Sequence, residues 1–245
     1  MMNTIELSII IPAYNEEGTI AELLKMLSTE LSKDLTTSFE VIIVDDGSTD
    51  TTKKIVESQI LELSEVQMRI ISLPTNRGKG FAVQQGIQNA KGLYVLVQDG
   101  DLEYAPSDIV TLLQIQKTLG ESGATYGTRY RSEAQFKLKD LLFKQNDKQS
   151  WTPFLFNSIL TVIFFLRNHV WITDLLTGYK IYPRSLFRTW QPVTEGFETD
   201  HEITNRIISL NMQILEVPIK YSPRSKSEGK KIGWKDGLKA LRLIA

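Results

Sequence analysis

The stretch Leu93-Tyr94-Val95-Leu96-Val97-Gln98-Asp99-Gly100-Asp101-Leu102-Glu103-Tyr104 runs an apolar, β-forming segment straight into two carboxylates one residue apart. Gly92 precedes the run and Gly100 follows it, so it reads as a short buried parallel strand. Open α/β sheets gather ligands at the carboxyl ends of their strands. Asp99 and Asp101 are therefore expected on a sheet rim, facing a cleft. Two carboxylates held this close repel unless a positive charge lies between them. A hard divalent cation, Mg²⁺ or Mn²⁺, answers that need. Such an ion takes one or two carboxylates and completes its shell with water and substrate phosphate. Gly100 lets the turn tighten and a ligand approach the backbone. A solvated acidic turn is the plainer reading, and the rest of the chain has to arbitrate.

On both sides of this run, strands alternate with helical patterns. Leu7 to Ile11 is a short apolar strand, followed by Pro12-Ala13-Tyr14-Asn15-Glu16-Glu17. A helical pattern starts near Glu17, with Ile20, Leu23, Leu24, Leu27 and Leu31 on its inner face. Phe39 to Val44 is a second strand, ending in Asp45-Asp46-Gly47-Ser48-Thr49-Asp50, where Ser48, Thr49 or Asp50 suits the cap of the next helix. A third strand, Met68 to Leu73, leads into Asn76-Arg77-Gly78-Lys79-Gly80 and a helix through Ala90. Beyond the Asp99 strand come a helix from about Pro106 to Leu119 and a fifth strand near Ala124-Thr125-Tyr126. This alternation predicts an α/β fold with a mainly parallel sheet flanked by helices, its polar loops converging on one rim. No G-x-G-x-x-G opens a helix after the first strand and no G-x-x-x-x-G-K-[ST] occurs, which disfavours dinucleotide oxidoreductases and P-loop NTPases. Phosphates must then be held another way, which favours the metal reading of Asp99 and Asp101.

The 245 residues suffice for one α/β domain, or a domain and an appendage. A formal net charge of −1 gives no global pull toward nucleic acid, and none is expected as a partner. The absence of cysteine excludes disulfides, thiol catalysis and zinc–thiolate sites, and fits a reducing compartment. Met1 to Glu6 lacks the basic and apolar regions of a signal peptide. No apolar stretch reaches the roughly 18–20 residues that span a bilayer.

Ile11 to Glu17, Val44 to Asp50, Asn76 to Gly80 and Asp99-Gly100-Asp101 occur in an order that resembles the GT-A-fold family 2 glycosyltransferases. Gly127-Thr128-Arg129-Tyr130, Thr177-Gly178-Tyr179-Lys180 and Tyr221-Ser222-Pro223-Arg224-Ser225 are similar to the branch containing dolichol-phosphate mannose synthase and polyprenyl-phosphate glucosyltransferases. The resemblance covers nearly the whole chain. It implies a single GT-A (Rossmann-like) domain over residues 1–245, with amphipathic interfacial helices. Residues 1–130 would form the nucleotide-sugar-binding half and residues 131–245 the acceptor and membrane-facing half.

Residue by residue, the resemblance implies that Pro12, Ala13, Tyr14 and Glu16 frame the nucleotide, with Val44 and Asp46 on base and ribose. Asp99 and Asp101 would hold Mg²⁺ or Mn²⁺ on the diphosphate, with the Gly100 backbone beside it. Glu103 would add a further metal or sugar contact, at a position where relatives of the mannose synthase often carry Gln. Lys79, Arg129, Lys180, Arg224 and Lys230 would surround donor or acceptor phosphates with positive charge. Asp200 would be a base or an acceptor contact. Each has a plainer counterpart. Pro12 shapes a turn, Tyr14 packs, Glu16 and Asp200 favour a helix start. Asp46 caps a helix, and Arg129 forms a surface pair.

Lys137 to Asn146 reads as an exposed charged segment. Trp151 to Val170 is strongly apolar, with Trp151 and Trp171 at its ends and Arg167 near its close. It fits a core helix or an interfacial helix with aromatic anchors. Gly196 to Ile203 opens another helix, with Asp200 and Glu202 on the acceptor side, and Ile214 to Tyr221 is a final strand. His201 has no second His or Cys nearby and is a poor metal ligand. Ser222 to Lys231 is a basic loop that suits phosphate, and Trp234 to Ile244 is amphipathic and suits an anionic membrane surface.

The expected activity is metal-dependent, inverting transfer of a hexose from a nucleotide sugar, of the GDP-mannose or UDP-glucose type, to a polyprenyl or dolichyl phosphate. The expected location is the cytoplasmic face of a membrane. Two alternatives stay open: sugar addition to a saccharide hydroxyl in cell-wall or surface polysaccharide synthesis, and a non-catalytic nucleotide-sugar-binding or peripheral membrane scaffold protein.

Overall fold

The computed structural model describes residues 4–34, 36–64, 66–130 and 151–223, with side chains in the last stretch from Asn157 onward. The first half alternates as expected: β1 (Leu7–Ala13), α1 (Ile20–Leu31), β2 (Phe39–Asp45), α2 (Thr52–Glu62), β3 (Gln67–Ser72), α3 (Lys79–Asn89) and β4 (Tyr94–Val97). A 3₁₀ turn at Pro106–Asp108 enters α4 (Ile109–Leu119), followed by β5 (Gly123–Thr128) and α5 (Trp151–Asn168). The remainder is β6 (Lys180–Pro183), α6 (Thr199–Ser209) and β7 (Gln213–Pro218).

The sheet order is β3-β2-β1-β4-β6-β5-β7. β1 pairs in parallel with both β2 and β4, and β2 with β3. β6 is antiparallel to its neighbours β4 and β5, while β5 and β7 are parallel. The geometry follows from this one reversed strand. The carboxyl ends of β1 to β5 and β7 point the same way, and the amino end of β6 joins them. Asp99 after β4, Arg129 after β5, Gly178 and Lys180 at the start of β6, and Tyr221 after β7 therefore share one rim.

Side chains alternate across the strands and fill both faces. Ile9, Ile11, Val41, Ile43 and Leu96 face α1, α2 and α4. Ile10, Ile42, Val44, Val95 and Val97 face α3. Ala124, Tyr126 and Tyr182 carry α5 and α6 through Leu160, Phe164, Ile203 and Ile207. Ile20, Leu23, Leu24, Leu27 and Leu31 are all buried on α1, as their spacing predicts. Each such burial contributes about 1.5–3 kcal/mol. None of the three candidate caps occupies the N-cap of α2, which is Thr51; Asp50 instead leads the chain into the helix through a turn in which its Oδ1 accepts the Thr52 N–H at 2.9 Å.

Several boundaries moved, among them α1, which starts at Ile20, and α6, which starts at Thr199. β7 stops at Pro218, which carries no N–H, and Tyr221 then forms an isolated bridge to Tyr104. The Pro106 helix begins with a 3₁₀ turn, because a proline suits a first turn.

Candidate active site

Three loops of the first half are laced into one wall. Asn15 N–H donates to Ser48 Oγ at 3.0 Å and Glu16 N–H to Thr52 Oγ1 at 2.8 Å, while Asn15 Oδ1 accepts the Thr49 N–H at 2.9 Å. Asp46 reaches the next loop, its two oxygens accepting the N–H groups of Arg77 at 2.9 Å and Gly78 at 2.8 Å. Burial pushes the Asp46 carboxyl above its ordinary pKa, and these main-chain donors oppose the shift. Asp46 thus braces the approach to α3 from 31 residues away rather than capping its own following helix. Val44 and Ala13 are fully buried and form the floor, Pro12 is partly buried, and Tyr14 stands 38% exposed at the rim. A Cβ at Gly100 would come within 3.3 Å of Glu16 Cγ, so the loop after β1 meets the acidic turn.

At that turn Asp99 Oδ1 lies 2.5 Å from Lys79 Nζ. A positive charge thus meets the acidic turn as an ammonium, on Asp99 rather than between the two carboxylates. Burial alone would lower the Lys79 pKa; Asp99, with smaller help from Asp200 and Asp101, raises it instead. The other Asp99 oxygen rests against Gly178, where any Cβ would sit 2.8 Å from it and push the carboxylate aside. Gly178 N–H donates to Tyr104 Oη at 2.8 Å, and Tyr104 stacks on Tyr179 with ring centroids 5.1 Å apart. Asp101 Oδ1 accepts the Glu103 N–H at 3.2 Å. Glu103 accepts the Tyr221 hydroxyl at 2.6 Å, and Ser222 N–H donates to the Glu103 carbonyl at 2.9 Å. The chain leading to Arg224 and Lys230, which lie outside the described residues, therefore departs from the acidic turn itself. The Lys137–Asn146 and Trp234–Ile244 segments also lie outside them.

The second half supplies charged pairs. Arg129 is gripped by Asp174: Nε to Oδ2 at 2.8 Å, Nη2 to Oδ1 at 2.7 Å and its own N–H to Oδ2 at 3.0 Å. It is a fork-to-fork pair, with Asp174 fully buried, rather than a surface pair. Burial works against the guanidinium, and Asp174 more than offsets this, raising its pKa. Glu216 fixes the segment bearing Asp174 by accepting from Thr173 N–H at 2.9 Å, Thr173 Oγ1 at 2.9 Å and Asp174 N–H at 3.0 Å. Sequence reasoning missed both acids. The available signal was isolation: Asp174 is the only acid between Trp151 and Thr194, and Glu216 stands alone in an apolar strand. A buried charge in such a setting requires a partner.

Lys180 is 1% exposed and turns inward, its Nζ 2.5 Å from Asp200 Oδ2 and 3.3 Å from the Leu175 carbonyl. Burial would raise the Asp200 pKa, but Lys180 wins, with His201 and Lys79 adding to it, and holds the carboxyl below its ordinary value. The Tyr182 hydroxyl donates to its other oxygen at 3.2 Å. Glu202 is committed to the loop before α6. It accepts from Trp190 Nε1, the N–H groups of Val193 and Thr194, and Thr194 Oγ1, which ties down residues 190–194. His201 is buried and its pKa is pushed down to about 4, so it stays neutral near pH 7.

Two carboxylates on one turn, beside cations and an open rim, form a donor set of hard oxygens. No group of three metal-ligating side chains occurs among the described residues. The pair suits an ion that draws its other ligands from water and phosphate.

Residues 8–189 match the family described as Glycosyl transferase family 2. The chain belongs to that family. Among relatives of this family 2 glycosyltransferase, a dolichyl-phosphate β-glucosyltransferase of Dictyostelium discoideum is 31% identical over 229 residues, covering 90% of this chain and 68% of that one. Its counterpart in Saccharomyces cerevisiae is 33% identical over 226 residues, covering 88% and 66%. The chain thus spans about two thirds of the length of these relatives. Glucosyl-3-phosphoglycerate synthase from Mycobacterium tuberculosis, solved with UDP, superposes with a TM-score of 0.68 at 18% identity, covering 98% of this chain and 78% of that one. S. aureus TarS, solved with UDP-GlcNAc, gives 0.62 at 20% identity, covering 98% and 65%. These neighbours share the GT-A glycosyltransferase fold.

Proposed function

We propose that this chain transfers a hexose, with inversion, from a nucleotide sugar to a polyprenyl phosphate at a membrane surface. The observation that carries this reading is the meeting of the Asp99–Asp101 turn with Lys79, Arg129 and the start of the basic Arg224 segment on one rim. The dolichyl-phosphate β-glucosyltransferase relatives favour glucose as the sugar and a polyprenyl phosphate as the acceptor, and the UDP-bound neighbours favour a uridine nucleotide.

The wall formed by Tyr14, Glu16 and Asp46 receives the nucleoside. Asp99 and Asp101 would hold Mg²⁺ or Mn²⁺, which when bound offsets charge on the departing diphosphate. Lys79 adds fixed positive charge beside that leaving group, and Arg129, locked by Asp174, adds more on the β5 side. An oxygen of the acceptor phosphate attacks the anomeric carbon from the face opposite the diphosphate. The new C–O bond forms as the old one breaks, and its electron pair leaves on the nucleoside diphosphate. Arg224 and Lys230 draw the acceptor phosphate in. A phosphate monoester is largely ionised near pH 7, with a second pKa of about 6, so the attack needs no base. This agrees with Asp200, whose ion pair with Lys180 makes it a weak proton acceptor. The held geometry then supplies much of the rate.

Membrane contact falls to α5. Asn157, Leu160, Thr161 and Phe164 are buried, whereas Ile159, Val162, Phe165 and Leu166 are exposed, leaving an apolar outer face beside Arg167. No helix among the described residues is long and apolar enough to cross a membrane. We assign residues 1–130 to donor binding and the rest to acceptor and membrane.

Incubation with UDP-glucose or GDP-mannose, Mn²⁺ and either a polyprenyl phosphate or an oligosaccharide tests the reading. Sugar recovered in the lipid phase supports it. Sugar transferred only to the oligosaccharide, or to neither, contradicts it.

A further inference from the structure

Lys79 and a divalent cation draw on the same atom. The Lys79 ammonium is 2.5 Å from Asp99 Oδ1, and the two side chains are only 25% and 20% exposed, so water screens the pair weakly. An ammonium and a metal ion on one carboxylate oxygen repel each other. The lysine backbone cannot retreat. Gly78 has φ of 104° and lies so close to the Glu195 carbonyl that a Cβ would sit 2.7 Å from it. Phe81 N–H donates to the same carbonyl at 3.0 Å, and Gln84 Nε2 donates to Thr194 O at 2.5 Å, which pins the first turns of α3 under residues 194–196. The side chain, in contrast, has alternative partners. The half-exposed Phe197 ring has its centroid 5.5 Å from Nζ, and an ammonium passes readily between a carboxylate, an aromatic face and a phosphate.

We propose that Lys79 couples metal loading to donor binding: its ammonium competes with the divalent cation for Asp99, and the donor diphosphate draws it off that oxygen. This rests on the reading of Asp99 and Asp101 as the metal and diphosphate site. Metal alone then binds weakly, because it must displace an ion pair. Diphosphate alone also binds weakly, because Lys79 must leave Asp99 bare. Together the costs cancel: the cation takes Asp99 and the lysine takes phosphate. By linkage, each ligand tightens the other by the same factor.

The test is Mn²⁺ binding, read as loss of the free-ion EPR signal, with and without UDP. The proteins are the wild type, Lys79→Met, Lys79→Gln, Lys79→Arg and Asp99→Asn. UDP should tighten Mn²⁺ binding to the wild type by about tenfold or more, within the usual 5- to 150-fold range of coupling. Lys79→Met and Lys79→Gln should bind Mn²⁺ alone about fivefold more tightly and lose a similar factor of the UDP gain. Lys79→Arg, which keeps the charge, should behave as the wild type. Unchanged Mn²⁺ affinity and an unchanged UDP gain in both neutral variants overturn the coupling, as does a wild type that shows no UDP gain. Gln is read beside Met so that a packing defect in one does not decide the matter. Asp99→Asn that binds Mn²⁺ with UDP as tightly as the wild type overturns the site reading beneath it instead.

Discussion

The two sides of the rim hold their acids differently. On the β1–β4 side, carboxylates are seated mostly by main-chain donors: Asp45 by Ser48, Asp46 by Arg77 and Gly78, Asp50 by Thr52, and Asp101 by Glu103, with Asp99, paired to Lys79, the exception. On the β5–β7 side, the two acids nearest the rim are seated by cationic side chains, Asp174 by Arg129 and Asp200 by Lys180, while Glu216 and Glu202 again use main-chain donors. A main-chain donor is present whatever residue other than proline carries it. An ion pair needs one particular partner and fails when either member is lost. The β1–β4 side thus depends mostly on backbone geometry and the β5–β7 rim on particular side-chain partners.

If this contrast is right, variants on the two sides should break different properties. The largest effect is expected at the acidic turn. Asp99→Asn or Asp101→Asn should lower sugar transfer by about a thousandfold, as loss of groups aimed at developing charge does, while the unfolding midpoint stays near the wild type. Substantial transfer in either variant would remove the acidic turn's claim to function.

Next comes the opposite case. Asp174→Ala leaves the Arg129 guanidinium buried without its carboxylate and should cost about 3 kcal/mol in urea unfolding, the low end for a broken buried pair because Arg129 keeps some exposure. An Asp174→Ala protein as stable as the wild type would show that the pair is incidental.

Asp200→Asn should do less in both respects. Transfer should fall less than about tenfold if no base is needed, whereas loss of a true base costs about 10²–10⁴. The latter result would move the acceptor from a phosphate to a hydroxyl. Stability carries a pH signature. The Asp200 pKa is lower folded than its ordinary 3.8, so the unfolded chain binds more protons in that window. Its stabilisation is complete above that ordinary value and is lost as pH falls through the folded one. The gap between wild type and Asp200→Asn in chemical unfolding should therefore close in strong acid. A gap that stays constant would mean that Lys180 does not hold the carboxylate.

The smallest change is expected for Glu103→Gln. The Tyr221 hydroxyl can still donate to the amide oxygen, so the stability cost should stay under about 1 kcal/mol. A larger loss in transfer than in stability would give Glu103 a direct part in metal or sugar contact.

The contrast also explains what the sequence could reveal. β1 to β4, α1 and the acidic turn were legible because apolar period and loop residues are local signals. The ion pairs were not. Arg129 and Asp174 are 45 residues apart, and Lys180 and Asp200 are 20 apart, on elements joined only once the sheet exists. The antiparallel insertion of β6 between β4 and β5 likewise has no local mark, since four residues, Lys-Ile-Tyr-Pro, fit either direction. Lys79 was read as a phosphate contact, and its present partner, Asp99, follows from α3 starting on the same rim.

The most direct measurement is a crystal structure of the chain with UDP and Mn²⁺. The account predicts the diphosphate between the Asp99–Asp101 turn and the first turn of α3, with the ion on Asp99 or Asp101 and the Lys79 ammonium moved from carboxylate to phosphate. A nucleotide bound away from that turn, or a diphosphate there with Lys79 still on Asp99 and no ion on either aspartate, would contradict it.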